Sequence, residues 1–156
     1  MDTLEKTQLA VFTKMAALCS RAEQCSPDIR KKITDLGGGE VMVTEVLQKL
    51  KEEHFLDDER YSKAYVRDKF RFNKWGRIKI RYYLKLKGLP DQVINVGLEE
   101  LDETHYIELL VKTMKEKAKT LKNKEKFEKM AALVRFAQSR GFEPELIHRH
   151  MGAVLD

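Results

Sequence analysis

The sequence predicts an all-α protein: three tandem three-helix repeats forming an elongated, curved array. Three observations predict it. Long Lys-, Glu-, Leu- and Arg-rich stretches carry only eight Gly and three Pro in 156 residues, a composition that favours helix on propensity alone. A register of Asp, Tyr, Gly and apolar residues recurs along the chain. The recurrence falls every 45 to 53 residues, the scale of stacked helical units that bury their apolar faces against neighbours. Hydrophobic residues make up 42% and charged residues 35%, enough for a packed core under a large wet surface.

The second segment states the plan most clearly. Asp57 caps a helix whose first turn holds Asp58 and Glu59, acids suited to the positive end of the helix dipole. Tyr61, Tyr65 and Phe72 fall on one face with Ala64 beside them, and the helix stops before Gly76. A second helix runs from about Arg77 to Lys87 and ends at Gly88. Leu89 and Pro90 open a third through Val93, Ile94, Leu98 and Leu101.

The third segment repeats this. Asp102, Tyr106, Leu110 and Val111 stand 45 residues after Asp57, Tyr61, Tyr65 and Val66. Gly141, Phe142, Ile147 and Met151 stand 53 residues after Gly88, Leu89, Ile94 and Leu98, so the first hairpin here is longer, through the Lys-rich stretch 112–129. Pro144 sits near the first turn of the last helix. The first segment is looser: a helix from about Leu4 to Gln24, a second capped by Ser26 and Pro27 and holding Ile29 and Ile33, a break at Gly37, Gly38 and Gly39, and a third with Val43, Val46, Leu47 and Leu50. The repeats are expected at 1–56, 57–101 and 102–156. The competing architecture is one compact helical bundle.

Charge points to a surface. The chain is +5 overall, but residues 60–87 hold eleven Lys and Arg against one acid, Asp68, a local +10. Arg60, Lys63, Arg67, Arg71 and Lys74 recur every three or four residues. On an α-helix they cover an arc of about 80°, away from Tyr61, Tyr65 and Phe72. Unneutralised cations at this spacing repel one another, which implies an anionic partner; the alternative is a solvated face. Arg77, Arg81 and Lys85 continue the ridge on the next helix. Ile80, Tyr83 and Leu84 flank it on one side and Ile78, Tyr82 and Leu86 on the other, so that helix is expected to be sandwiched between neighbours. Trp75 lies between the two ridges, either as a stacking or contact anchor or as a core plug, and Phe70 is a second anchor. The eight lysines and three glutamates of 112–129 mix signs and read first as a solvated hairpin.

No catalytic constellation is visible, and no cofactor or metal is expected. The triple glycine lacks the lysine and strand context of a phosphate loop and reads as a flexible turn. His148 and His150 alternate and point to different sides of a helix. Asp57 and Asp58, a conceivable nuclease pair, are explained by a helix N-terminus. No apolar run approaches a membrane span, the N-terminus does not read as a signal peptide, and Cys19 and Cys25 read as ordinary reduced thiols. A cytoplasmic monomer is expected.

Three stretches carry a resemblance to a known family. Residues 17–30, ALCSRAEQCSPDIR, look like the first-repeat opening of RecX proteins. Residues 55–66, FLDDERYSKAYV, resemble the family's Leu-Asp-Asp-x-Arg-Tyr core, and residues 74–89, KWGRIKIRYYLKLKGL, its Gly-x-x-x-Ile…Leu-x-x-x-Gly pattern. The resemblance covers nearly all the chain after the first dozen residues and rests on spacing. It implies a crescent of three three-helix repeats that lies in the groove of the RecA nucleoprotein filament and lowers RecA ATPase, strand-exchange and co-protease activities. In the family the middle-repeat basic residues are proposed contacts; they correspond here to Arg60, Lys63, Arg67, Arg71, Arg77 and Arg81. The triple glycine and a first helix pair poor in basic residues depart from the family pattern. Charge and resemblance together give weak, sequence-indifferent binding to single- or double-stranded DNA. A sequence-specific helix-turn-helix regulator and a nuclease are the competing functions.

Overall fold

Each repeat begins with the same local device. In the computed structural model, which describes residues 2–155, Asp2, Asp57 and Asp102 precede the first helices of the three repeats. Their carboxylates accept hydrogen bonds from the backbone N–H groups of Glu5, Arg60 and His105 at 2.7, 3.1 and 3.0 Å. A capping carboxylate satisfies an orphan donor and complements the helix dipole. The helices are α1 Thr3–Arg21, α2 Ser26–Asp35, α3 Glu40–Glu52, α4 Asp58–Asp68, α5 Arg77–Leu86, α6 Asp91–Leu98, α7 Glu103–Lys119, α8 Lys126–Ser139 and α9 Pro144–Leu155. There is no strand among the described residues.

The middle helices also end alike. Gly37, Gly88 and Gly141 close α2, α5 and α8 with φ of 93°, 95° and 96°. The residue after each glycine donates back to the helix: Gly38 to Ile33, Leu89 to Leu84 and Phe142 to Ala137. Only glycine adopts that backbone without strain, and the double hydrogen bond satisfies the last carbonyls. The triple glycine, expected as a flexible turn, therefore contains the first repeat's copy of a helix stop. Ser26 does not act as the expected cap either. It is the first residue of α2, and its N–H donates to the carboxylate of Asp58, 2.7 Å away in the next repeat.

Three cores follow in series. The first gathers Met15, Ile29, Ile33, Val43 and Leu50. The second gathers Val66, Ile80, Leu84, Ile94 and Leu98, and takes in Cys25 from the preceding repeat. The third gathers Tyr106, Leu110, Met114, Leu133, Phe142 and Ile147. In the second, α4 and α6 approach so closely that a Cβ on Gly97 would lie 2.7 Å from the Ser62 carbonyl oxygen. Among the described residues no hydrogen bond, ion pair or shared core joins α1–α3 to α7–α9, so the array is elongated.

The two joints differ in kind. Repeats one and two meet through Cys25 and side-chain bonds: Asp58 to Ser26, Arg60 to Glu23 at 2.5 Å, and Lys87 to Asp28 at 2.9 Å. Repeats two and three meet backbone to backbone. The N–H groups of Gly76 and Ile78 donate to the carbonyls of Arg140 and Gly141 at 2.7 and 3.0 Å, and Arg77 N–H donates to the Tyr106 hydroxyl at 2.9 Å. The orphan donors at the start of α5 thus meet orphan acceptors at the end of α8. A Cβ on Gly76 would sit 2.6 Å from the Phe142 nitrogen, so the joint needs glycine.

Two expectations about the core are corrected. Phe72 is 71% exposed, whereas Phe70 packs between the second and third cores and stacks on Tyr106 at 5.9 Å. The cause is a π turn over Lys69–Asn73, closed by Lys74 in the left-handed region at φ 59°. The wider turn rotates every later side chain out of α-helical phase. The helix α5 is not sandwiched. Ile80 and Leu84 are buried, but Ile78, Tyr82 and Leu86 are 51%, 58% and 65% exposed.

Candidate functional site

The basic residues of the middle repeat divide by what they meet. Arg60 donates to Glu23 and to the carbonyls of His54 and Phe55, so it ties the repeats together; the hydrogen bond to Glu23 holds its pKa above the usual value. Lys63 pairs with Glu100 at 3.3 Å. Arg81 meets Asn95 at 2.7 Å and Asp91 at 3.7 Å, and Lys85 meets Asp91 at 3.2 Å.

Arg77 is the most embedded of these cations. Its guanidinium reaches Glu143 at 2.6 Å, pairs with Glu103, and lies 3.8 Å above the centre of the Tyr106 ring. Burial opposes its charge, but the Glu143 bond and the surrounding carboxylates outweigh that and raise its pKa. Tyr106 in turn donates to Glu143, and burial with that bond raises its hydroxyl pKa. Arg77 was expected on an exposed ridge. It is half-buried, because two acids of the third repeat converge on it.

Arg67, Arg71 and Lys74 are exposed and make no ion pair among the described residues. The stripe that runs from Arg60 ends at the π turn, where Lys74 takes the left-handed conformation that closes it. Arg67 and Arg71 share a cleft of about 430 Å³ at the second joint. Val66, Phe70 and Leu101 line it, and Asp102 and His105 form the facing lip.

Trp75 is half-buried against the edge of the second core, the plug that was one of its two expected roles, and it heads a group of aromatic rings there. Its N–H reaches back to the Lys69 carbonyl at 3.2 Å, a bond set up by the π turn. Its ring stacks on Tyr83 at 5.0 Å, and Tyr83 meets Tyr82 edge-on at 5.2 Å. The ammonium groups of Lys69 and Lys79 lie 5.1 and 4.8 Å from the Trp75 ring centre. Sequence spacing singled out Trp75 but neither lysine; the available signal was the density of lysine on both sides of the only tryptophan. Phe70, named as a second anchor, belongs to the core.

Among the described residues no His, Cys, Asp or Glu cluster could hold a metal ion, and no helix is long and apolar enough to cross a membrane. Cys19 and Cys25 are free thiols.

The chain has relatives. A family model for the second three-helix domain of RecX matches residues 57–98. Regulatory protein RecX of Chlorobaculum tepidum is 30% identical over 128 residues, which cover 82% of this chain and 78% of the relative. Regulatory protein RecX of Clostridium perfringens is 32% identical over 117 residues, or 74% of this chain and 54% of the relative. The chain thus spans about half the length of the relatives from Clostridium perfringens and Clostridium acetobutylicum that it matches. Its fold matches a crystal structure of RecX from Lactobacillus salivarius with a TM-score of 0.91 at 17% identity, over 96% of this chain and 97% of the other. A second RecX crystal structure matches with a TM-score of 0.83 at 22% identity, over 93% of this chain and 71% of that one. The helical-repeat architecture, the match over the middle repeat and the coverage of the Chlorobaculum relative lead to one conclusion: the chain belongs to the RecX family of regulatory proteins.

Proposed function

We propose that this protein is a non-enzymatic, monomeric, cytoplasmic regulator that binds the RecA nucleoprotein filament and restrains its ATP turnover, strand exchange and co-protease activity. Its structural units are the repeats 1–56, 57–101 and 102–156. The contact runs through Arg67, Arg71 and Lys74. One observation carries this choice: Arg60, Lys63, Arg77, Arg81 and Lys85 each meet a carboxylate within the fold, while these three cations meet none among the described residues. Their charge is uncompensated internally, so an acidic protein surface or a phosphate run outside the molecule is the natural complement. An array that spans several RecA subunits adds modest contacts into one strong attachment.

The competing reading, a duplex-reading transcription regulator, is disfavoured by α5. A recognition helix presents free side chains to base edges, but three of the four cations of α5, Arg77, Arg81 and Lys85, are ion-paired and its open face carries Ile78, Tyr82 and Leu86.

The test is RecA-dependent ATP hydrolysis on single-stranded DNA. The protein alone should hydrolyse neither ATP nor DNA, and should suppress RecA turnover at less than one copy per RecA subunit. Replacing both Arg67 and Arg71 with Glu should raise the concentration for half-inhibition at least tenfold, about 1.4 kcal/mol of binding. Thermal stability should change by no more than about 0.5 kcal/mol, as exposed substitutions do. Full inhibition by the folded double variant would remove the ridge from the contact.

A further inference from the structure

We propose that Trp75, Tyr82 and Tyr83, with Lys69 and Lys79, form a stacking track for single-stranded nucleic acid on a face apart from Arg67 and Arg71. The three rings are in contact, at 5.0 and 5.2 Å between successive centres, and Tyr82 is 58% exposed. The two ammonium groups lie about 5 Å from the Trp75 ring, and neither meets a carboxylate among the described residues. The side-chain hydrogen bond of Lys79 goes to the Ser139 carbonyl, at 3.3 Å. The π turn and the left-handed Lys74 are what fold Trp75 back onto Lys69, and wider turns of this kind concentrate at functional positions.

The chemistry of the occupant follows from the alternation of rings and cations. A single strand offers a planar π-face and a phosphate at every step, and aromatic rings with flanking cations bind it without reading sequence. Ile78 and Leu86 flank Tyr82 one turn to either side, but a protein helix extended from there to Trp75 would meet the ammonium groups of Lys69 and Lys79. A duplex keeps its base faces stacked inside, so it reaches the cations but not the rings. Lys69 leaves its helix roughly 200° round from Arg67, so track and ridge are physically separate. The proposal gives the weak nucleic-acid binding expected of this chain a location and a strand preference, apart from the filament contact.

Trp75 is the only tryptophan, so its emission reads the track directly. The probe is an oligothymidylate of about 20 nucleotides, compared with a duplex of equal length at equal salt. The single strand should quench Trp75 on binding and the duplex should not. Tyr82→Ala should weaken oligothymidylate binding about tenfold, the contribution of one stacked base, while Tyr82→Phe should bind as the parent does. The Arg67 and Arg71 double Glu variant should keep the quench even where it loses filament inhibition, so each proposal can fail alone. Absence of binding, binding that leaves Trp75 emission unmoved, equal quenching by duplex, or a folded Tyr82→Ala variant with unchanged affinity would each overturn the track.

Discussion

Arg67 and Arg77 carry the same side chain, ten positions apart, and do opposite work. Arg67 is exposed and unpaired; Arg77 is clamped by Glu143 and Glu103 above Tyr106. Removing the Arg77 side chain leaves the half-buried Glu143 carboxylate without its cation, while the Tyr106 hydroxyl keeps its bond from the backbone N–H of residue 77. Arg77→Ala is therefore expected to destabilise the fold by about 2 kcal/mol, measured by denaturant melting, against about 0.5 kcal/mol for a change at Arg67. Equal, small effects at both positions would mean the clamp contributes little. Titration gives a second residue-scale expectation. Burial pushes the Cys25 thiol from 9.0 up to about 11 and the Tyr61 hydroxyl from 10.0 up to about 12. The hydrogen bond from Lys87 to Asp28 raises the lysine pKa, against its own burial. All three groups hold their protons more tightly folded than unfolded. Their contribution is therefore complete below about pH 9 and is lost as pH rises through 9 to 12. Urea midpoints should be flat from pH 7 to about 9 and then fall, the thiols titrating first. Burial raises the Cys19 thiol from the same 9.0, so a Cys25→Ala variant should keep the onset and show a shallower decline; an unchanged slope would count against the Cys25 thiol.

Helices and their ends were largely legible in the sequence because their signals are local. Asp57, Asp102, Gly88 and Gly141 mark starts and stops through bonds to residues three to five positions away, and all four act as their types predict. What failed was phase and pairing. The face assignment of Phe72 and the place of Lys74 at the end of the stripe assumed one rotation per residue from Asp57 to Gly76. A single π turn breaks that assumption, and no residue of the sequence Lys-Phe-Arg-Phe-Asn announces it. The ridge of α5 failed for another reason. The acids that neutralise Arg77 stand 26 and 66 residues away, beyond any local rule. The apolar residues on its other flank were read as buried, yet no helix covers them. The joint at the start of α5 gives the element-scale prediction. Gly76→Ala drives a methyl group into the Gly141–Phe142 backbone and leaves no room for α8. Loss of several kcal/mol is expected, as for other overpacked and unsatisfied backbone contacts, and it should appear as a separate, earlier unfolding step of the third repeat. One unchanged cooperative transition would show that the joint adapts.

The whole molecule is a chain of three small cores joined by two unlike links: side chains and a buried thiol at the first, main-chain hydrogen bonds at the second. Arg67, Arg71 and Lys74 stand on the middle repeat, which both neighbours hold in place, so a contact there is presented by a fixed element and not by a loose end. The second link also bears on biosynthesis. The amide of Gly76 finds its acceptor at Arg140, 64 residues later in the chain. When the middle repeat leaves the ribosome, the opening turn of α5 has bare donors and Phe70 has no Tyr106 to rest on. The residues of the second core end at Leu101, so that core can gather during synthesis, but its link to the third repeat closes only as the end of α8 emerges.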